Sequence, residues 1–173
     1  MAALTASDVD AALAGKARGA AALHCATLQA EVGSFVLFSS AFCLGVVPNT
    51  AAYAAANCYL SGLALLRSAA SLPALAVEWG AWESVGMAAD AGPAFAEYWR
   101  GMGMALICVD KGMRTLGRLL GSAEVALCAV LPCDWAAYGR SVGGAASAAA
   151  ARPLSAHRRV SAKPPRAAAG WGG

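Results

Sequence analysis

The stretch FVLFSSAFCLGVVPNTAAYAAAN, Phe35 to Asn57, decides the fold of this 173-residue chain. Its opening FVLF is a short, unbroken apolar run, the pattern of a strand buried on both faces of a parallel sheet. The expected strand runs from Phe35 to Ser39, with Ser40 at its end. Pro48 breaks the following loop, and a helix carrying Tyr53 and Asn57 continues to about Ala70. Residues four apart share a helix face, so the phenol of Tyr53 and the amide of Asn57 stand on one side. Ligands of open α/β sheets sit outside the carboxyl ends of the strands. A hydroxyl, a phenol and an amide are therefore expected at one crevice.

Working outward, residues 7 to 30 read as a helix, with Ser7 as N-cap and Asp8 and Asp10 complementing the dipole in the first turn. Gly33 breaks it. Beyond the Tyr53 helix, Ser71-Leu72-Pro73 is a stop, because the residue before proline avoids the helical region. Ala74 to Trp79 reads as a second buried strand. Gly80 to about Gly103 reads as loop plus helix, helical from Asp90 to Arg100. Lys111 to Gly121 reads as an amphipathic helix with Met113, Leu116, Leu119 and Leu120 on one side. Val125 to Leu131 is a third strand. This alternation of helix and strand predicts an α/β domain with a parallel sheet over residues 1–140. After Arg140 the chain turns to Ala, Gly, Ser, Pro and Arg without apolar periodicity, which predicts a disordered tail or linker over 141–173.

The totals narrow the function classes. Apolar residues make up 59% and charged ones 13%, far from a disordered composition. The net charge of +3 is misleading, because six of the thirteen basic residues follow Asp134, the last acid. The body up to Gly139 holds seven basic and ten acidic residues. It therefore offers no basic, aromatic-interleaved surface for nucleic acid. The charge-free run from Val32 to Leu66 spans 35 residues, more than the ~20 that cross a bilayer. Ser39, Ser40, Pro48, Asn49, Thr50 and Asn57 interrupt it and no basic cluster flanks it, so a buried strand and helix is the expected reading. The six cysteines form no CxxC pair and no metal-ligand spacing, so no metal is expected. The N-terminus lacks the basic start and apolar core of a secretory signal. A reducing, cytoplasmic setting is expected, with a plastid left open for a parent protein.

The motifs resemble the ketoreductase domain of modular polyketide synthases and animal-type fatty acid synthases, in the short-chain dehydrogenase/reductase superfamily. Ser40 precedes Tyr53 by thirteen residues, matching the family's serine and tyrosine, and YAAAN matches its helix start. GKARGAAALH is similar to the family's lysine helix: it supplies Lys16 and keeps Gly19, Leu23 and His24, with Gly15 in place of a proline. LPALAVEWGAWESVGMAA resembles the family's downstream segment, and the likeness continues through Gly112-Met113 and Leu119-Leu120 to LPCDWAAY, about residue 140. In most of the superfamily the lysine follows the tyrosine by four. Here Asn57 holds that place and Lys16 comes from the preceding helix, the exchange these ketoreductases show.

The resemblance implies NADPH-dependent reduction of a β-ketoacyl thioester tethered to the phosphopantetheine of an acyl carrier protein, among other synthase domains, without nucleic acid or membrane. Tyr53 would donate the proton, and a nearby ammonium would favour the phenolate of a group whose pKa is ordinarily ~10. Lys16 would be that ammonium and would reach the nicotinamide ribose. Ser40 would hold the carbonyl, and Asn57 would support the relay. Gly80 and Ala81 would lie by the nicotinamide, and Met87, Phe95 and Trp99 would belong to a lid over the acyl chain. No G-x-G-x-x-G follows a strand, so a partial Rossmann-like domain without its dinucleotide-binding half is expected. The rival readings are a catalytically incompetent fragment or scaffold remnant and, more remotely, a small membrane protein. One stereochemical type carries a tryptophan eight residues before the tyrosine, and Gly45 stands there instead.

Overall fold

In the computed structural model, residues 5–45, 50–122 and 125–142 are described. The chain opens with α1 (Ala6–Leu13), a π turn (Ala14–Arg18) and α2 (Gly19–Ala26), stacked end to end. The cap is Thr5 rather than Ser7. Thr5 Oγ1 accepts from the Asp8 N–H at 3.2 Å, and the Asp8 carboxylate accepts from the Thr5 N–H at 2.9 Å. This reciprocal capping box satisfies two otherwise orphaned donors. The Thr5 hydroxyl, then its N–H, hold the Asp8 carboxyl below its ordinary range. In the π turn the Gly19 N–H reaches back five residues to the Ala14 carbonyl. The helix ends at Ala26 rather than at residue 30. Thr27 Oγ1 donates back to the carbonyl of Leu23 at 2.8 Å, and the Thr27 N–H is split between the Leu23 and His24 carbonyls.

Three strands follow, β1 (Val36–Ser40), β2 (Leu75–Trp79) and β3 (Leu127–Val130), all parallel and in the order β1-β2-β3. The pairing aligns Ser39 with Glu78 and Ser40 with Trp79. β2 lies between its neighbours and is buried at every residue. α3 (Ala51–Ala69) connects β1 to β2 and packs Leu60, Leu63 and Ala64 against Phe35, Leu37 and Ala76. Each fully buried leucine contributes about 1.5–3 kcal/mol of transfer free energy. The other face holds Leu75, Val77, Trp79 and Ile107, covered by α6 (Val109–Leu120). Only Leu116 and Leu119 of the expected apolar stripe pack there. Met113 and Leu120 are about half exposed.

The expected helix over 90–100 is two helices, α4 (Met87–Asp90) and α5 (Pro93–Gly101). Gly92 between them sits at φ +77°, a conformation glycine adopts without strain, and Pro93 starts α5 with its fixed φ. A last helix, α7 (Trp135–Val142), lies mostly between the expected third strand and the expected tail, where no element was assigned. Asp134 Oδ1 caps it, accepting from the N–H groups of Ala136 and Ala137 at 2.9 and 3.1 Å. The expected tail begins inside this helix, and from residue 143 on it lies outside the described residues. Among the described residues no helix is long and apolar enough to cross a membrane. The run from Val32 to Leu66 supplies β1 and most of α3 instead.

Candidate active site

The carboxyl end of β1 carries two serines with different surroundings. Ser39 faces α3, and its hydroxyl lies 3.0 Å from the Asn57 carbonyl and 3.1 Å from Ser61 Oγ. Ser61 in turn donates to Glu78 Oε1 at 2.8 Å. Carbonyl and carboxylate oxygens only accept, so the Ser39 proton serves the Asn57 carbonyl and the Ser61 proton serves Glu78. This chain buries Glu78, at 5% exposure, without a basic partner among the described residues. Ser39 and Ser61 are thus structural. Ser40 ends the strand on the opposite face, and its Oγ accepts from the Phe42 N–H at 3.3 Å. Its own proton remains available to a carbonyl placed at the strand end.

Tyr53 lies in the first turn of α3, half-buried, with Phe42 edge-on to its ring at a centroid distance of 5.7 Å. Phe42 also meets Trp99 at 5.6 Å, and Trp99 stacks on Phe95 at 5.7 Å. A continuous aromatic chain therefore joins the phenol to α5. Asn57 is fully buried; its Nδ2 donates to the Tyr53 carbonyl at 2.7 Å, and its Oδ1 has no partner. Lys16, in the π turn, reaches β1 from the neighbouring helix. Its Nζ lies 5.9 Å from the centre of the Tyr53 ring and donates to the Phe38 carbonyl at 2.9 Å. Burial lowers the Lys16 pKa, offset in part by charge on Cys43.

The structure thus brings Lys16, Ser40, Tyr53 and Asn57 to one strand end. Gly80 is buried beyond β2, its N–H donating to the Val130 carbonyl at 2.9 Å. A Cβ there would stand 2.8 Å from Leu131 Cβ, so this glycine also answers to packing between β2 and β3. The Ala81 carbonyl accepts from the Ile107 N–H at 2.7 Å. Of the three expected lid residues, Trp99 is 2% exposed and packed among rings, Phe95 is half-buried, and Met87 is 67% exposed on α4. Phe42, the ring linking Tyr53 to Trp99, carries no signal of its own in the sequence. Glu78 does carry one, as an acid inside the apolar run ALAVEW. At Gly45, a Cβ would collide with the Tyr138 hydroxyl. A tryptophan at that position is incompatible with this packing.

A strand-end serine, a helix phenol and an ammonium thus stand at one end of the parallel sheet of an α/β fold. Comparison with known proteins gives the particular family. Residues 1–84 match the family model described as KR domain. The described fold superposes on A-type ketoreductases from a modular polyketide synthase with a TM-score of 0.76 at 30% identity, covering 82% of this chain and 29% of that one. It superposes on the first ketoreductase of the tylosin polyketide synthase with a TM-score of 0.70 at 31% identity, covering 80% and 30%. By sequence, the chain is 39% identical over 130 residues to polyketide synthase GfsA of Streptomyces halstedii, across 75% of this chain and 2% of GfsA. It is 39% identical over 107 residues to the phthioceranic/hydroxyphthioceranic acid synthase of Mycobacterium tuberculosis, across 61% of this chain and 5% of that protein. The chain resembles the ketoreductases of polyketide synthases, as the motifs implied. It spans less than a third of these two solved ketoreductases and a few per cent of these two synthases.

Proposed function

We propose that this chain is the carboxyl-terminal part of a β-ketoacyl reductase that uses NADPH and acts on thioesters carried by the phosphopantetheine of an acyl carrier protein. The observation carrying this reading is the Lys16 ammonium 5.9 Å from the Tyr53 ring, beside Ser40 at the end of β1. An ammonium beside a phenol is the pairing in which a tyrosine serves as general acid.

The residues present suit the nicotinamide end of the cofactor. Lys16 would hold the ribose, and the backbone around Gly80 and Ala81 would lie against the ring. A pyrophosphate requires a glycine-rich turn at a helix N-terminus. This sequence has no such turn after a strand, so that role is assigned to the part of the reductase the chain does not span. When bound, the cofactor supplies the hydride. Ser40 donates a hydrogen bond to the keto oxygen, orienting it and stabilising the charge that develops there. Tyr53 gives its phenolic proton to the alkoxide. Asn57, with a buried and unpartnered Oδ1, accepts a hydrogen bond in the path that restores that proton. Phe42 and Trp99 form the apolar wall behind the phenol.

Other synthase domains and the carrier protein are the partners this reading implies, in the cytoplasm. The rival reading is a remnant without activity, and it draws on the short span relative to the solved ketoreductases. The two separate when the 173-residue chain is combined with the preceding portion of the GfsA ketoreductase. NADPH-dependent reduction of a β-ketoacyl N-acetylcysteamine thioester, lost in Tyr53→Phe, is the expected result. Full activity in Tyr53→Phe overturns the assignment. Folded, assembled protein with no reduction favours the remnant.

A further inference from the structure

Two thiols meet where the end of β1 rests on α3. The 3₁₀ turn Ala41–Cys43 follows Ser40 and packs against that helix. Cys43 Sγ lies 4.0 Å from the Ala54 carbonyl and 3.6 Å from Ser39 Oγ. Residues four apart share a helix face, so the turn of α3 that begins at Ala54 brings Cys58 to the same side. A side-chain hydrogen bond joins the Cys43 and Cys58 thiols there. Cys58 is exposed and Cys43 half-buried, so solvent reaches the pair through Cys58. Neither thiol belongs to the group formed by Lys16, Ser40, Tyr53 and Asn57, yet both adjoin it. Cys58 follows Asn57 directly. Cys43 shares its turn with Phe42, whose N–H donates to Ser40 Oγ at 3.3 Å and whose ring meets Tyr53.

We propose that Cys43 and Cys58 are a reversible disulfide site, closed by exchange with a small-molecule disulfide, that pins the turn after Ser40 to the helix carrying Tyr53 and Asn57. The exposed Cys58 thiolate attacks one sulfur of the incoming disulfide, and a thiolate leaves. The Cys43 sulfur then gives up its proton and attacks the Cys58 sulfur, and the second thiolate leaves. Two protein thiols are oxidised to one disulfide. The small disulfide is reduced to two thiols, which take up the two protons. The contact with Ser39 that Cys43 gives up is weak, because the Ser39 proton already serves the Asn57 carbonyl. The product is neutral, so neither burial nor the Glu78 carboxylate opposes it as they oppose the Cys43 thiolate. The same opposition sets the order of attack, since the thiolate is the attacking form. Where thiols are kept reduced such a bond is transient, which suits a reversible modification. The site asks no catalytic role of either thiol and stands apart from the reductase reading.

The test treats the whole 173-residue chain with glutathione disulfide, as wild type, Cys43→Ser and Cys58→Ser. No lysine or arginine lies between Arg18 and Arg67, so trypsin leaves both cysteines on one peptide. Cleavage after Tyr53 by chymotrypsin separates them and reveals the pairing. Wild type is expected to pass through a glutathione adduct at Cys58. It is expected to end with the Cys43–Cys58 pair in about tenfold or greater excess over any other, a preference set by folded geometry and lost in urea. Cys43→Ser is expected to stop at the adduct. Closure is expected to raise the melting midpoint by about 5 °C, because a short loop is tied down, and dithiothreitol to reverse it. Cys58→Ser is expected to melt alike before and after the treatment. A native chain that keeps only adducts overturns the proposal, as does one that pairs Cys58 with Cys25 or shows the same preference in urea. A closed chain that melts with the reduced one overturns the pinning. No readout depends on turnover, so failure of the reductase reading leaves the disulfide site standing.

Discussion

The guanidinium of Arg67 lies over the ring of Phe35, its central carbon 3.8 Å from the ring centroid, joining the end of α3 to the entrance of β1. Arg67 is 1% exposed. It donates from Nε to the Pro73 carbonyl at 3.1 Å and from Nη1 to Thr27 Oγ1 at 3.2 Å, and Nη1 also meets His24 Nδ1 at 3.0 Å. No carboxylate faces it among the described residues. One side chain thus ties α2, α3, β1 and the loop before β2. Arg67→Ala is expected to destabilise the chain by about 2–4 kcal/mol, from the lost hydrogen bonds and cation–π contact. Urea unfolding with an unchanged m-value checks this, and Arg67→Lys is expected to fall between.

Tyr53→Phe removes the hydroxyl and leaves the edge-on contact with Phe42. In the complemented enzyme this is expected to cut ketone reduction by about 100-fold or more, the usual scale of general acid catalysis, with an unchanged melting temperature. Single-turnover NADPH oxidation measures it.

Lys16 gives a pH signature. Burial places its folded pKa below the ordinary 10.5, so between those two values the unfolded state binds more protons. Stability then rises with pH across that window and is flat in this respect below it. The stability difference between wild type and Lys16→Met, followed by denaturation at increasing pH, is expected to move in favour of wild type as pH climbs toward 10.5. A slope of the opposite sign would show the ammonium to be better solvated in the fold than outside it.

The nucleophilicity of Cys43 is suppressed. Burial pushes its pKa up to about 11 from an ordinary 9.0, against a lowering by the Ser39 hydrogen bond, with smaller raises from the neighbouring Cys58 thiol and the charge of Glu78. At pH 8 that leaves about a hundredfold less thiolate than an ordinary thiol, and the thiolate is the reactive form. Iodoacetamide labelling resolved by peptide mass is expected to be correspondingly slower at Cys43 in native than in urea-unfolded chain.

Gly103 is constrained twice. It sits at φ +80°, and a Cβ would stand 2.7 Å from Ala137 Cβ and 2.8 Å from the Asp134 carbonyl at the start of α7. Gly86, at φ +76°, has open space around it. Gly103→Ala is expected to cost about 2–4 kcal/mol and Gly86→Ala about 1 kcal/mol, since only the first adds overpacking to backbone strain. Paired thermal melts separate the two contributions.

What the sequence conveyed follows from how local the governing physics is. FVLF reads as a buried strand because its apolar continuity needs no partner to be recognised, and β1 falls within one residue of it. The Ser40, Tyr53 and Asn57 spacing was legible because strand and helix periods place those side chains. The end of α2 at Ala26 was not, because Thr27 turns back under a guanidinium forty residues away. The split between α4 and α5 was available in Ala91-Gly92-Pro93, where two breakers adjoin, and the cap of α7 in Asp134-Trp135. The position of Lys16 had no such signal. AGKAR contains nothing that announces a wide turn, and the carbonyl it meets is set by tertiary packing.

That wide turn has a consequence for how this helix tolerates change. One residue is accommodated in Ala14–Arg18 beyond what an α-helix would hold, so the segments on either side are out of phase by about 100°, a single residue's rotation. Deleting Gly15 would remove the surplus residue and let the helix run straight, with α1 keeping its present face on α3, which it touches, while Lys16 would lose the displacement that the wide turn gives it. The surplus residue works as a key cut into the rod: the notch sets the lysine's aim and spares the helix's seat on its neighbour.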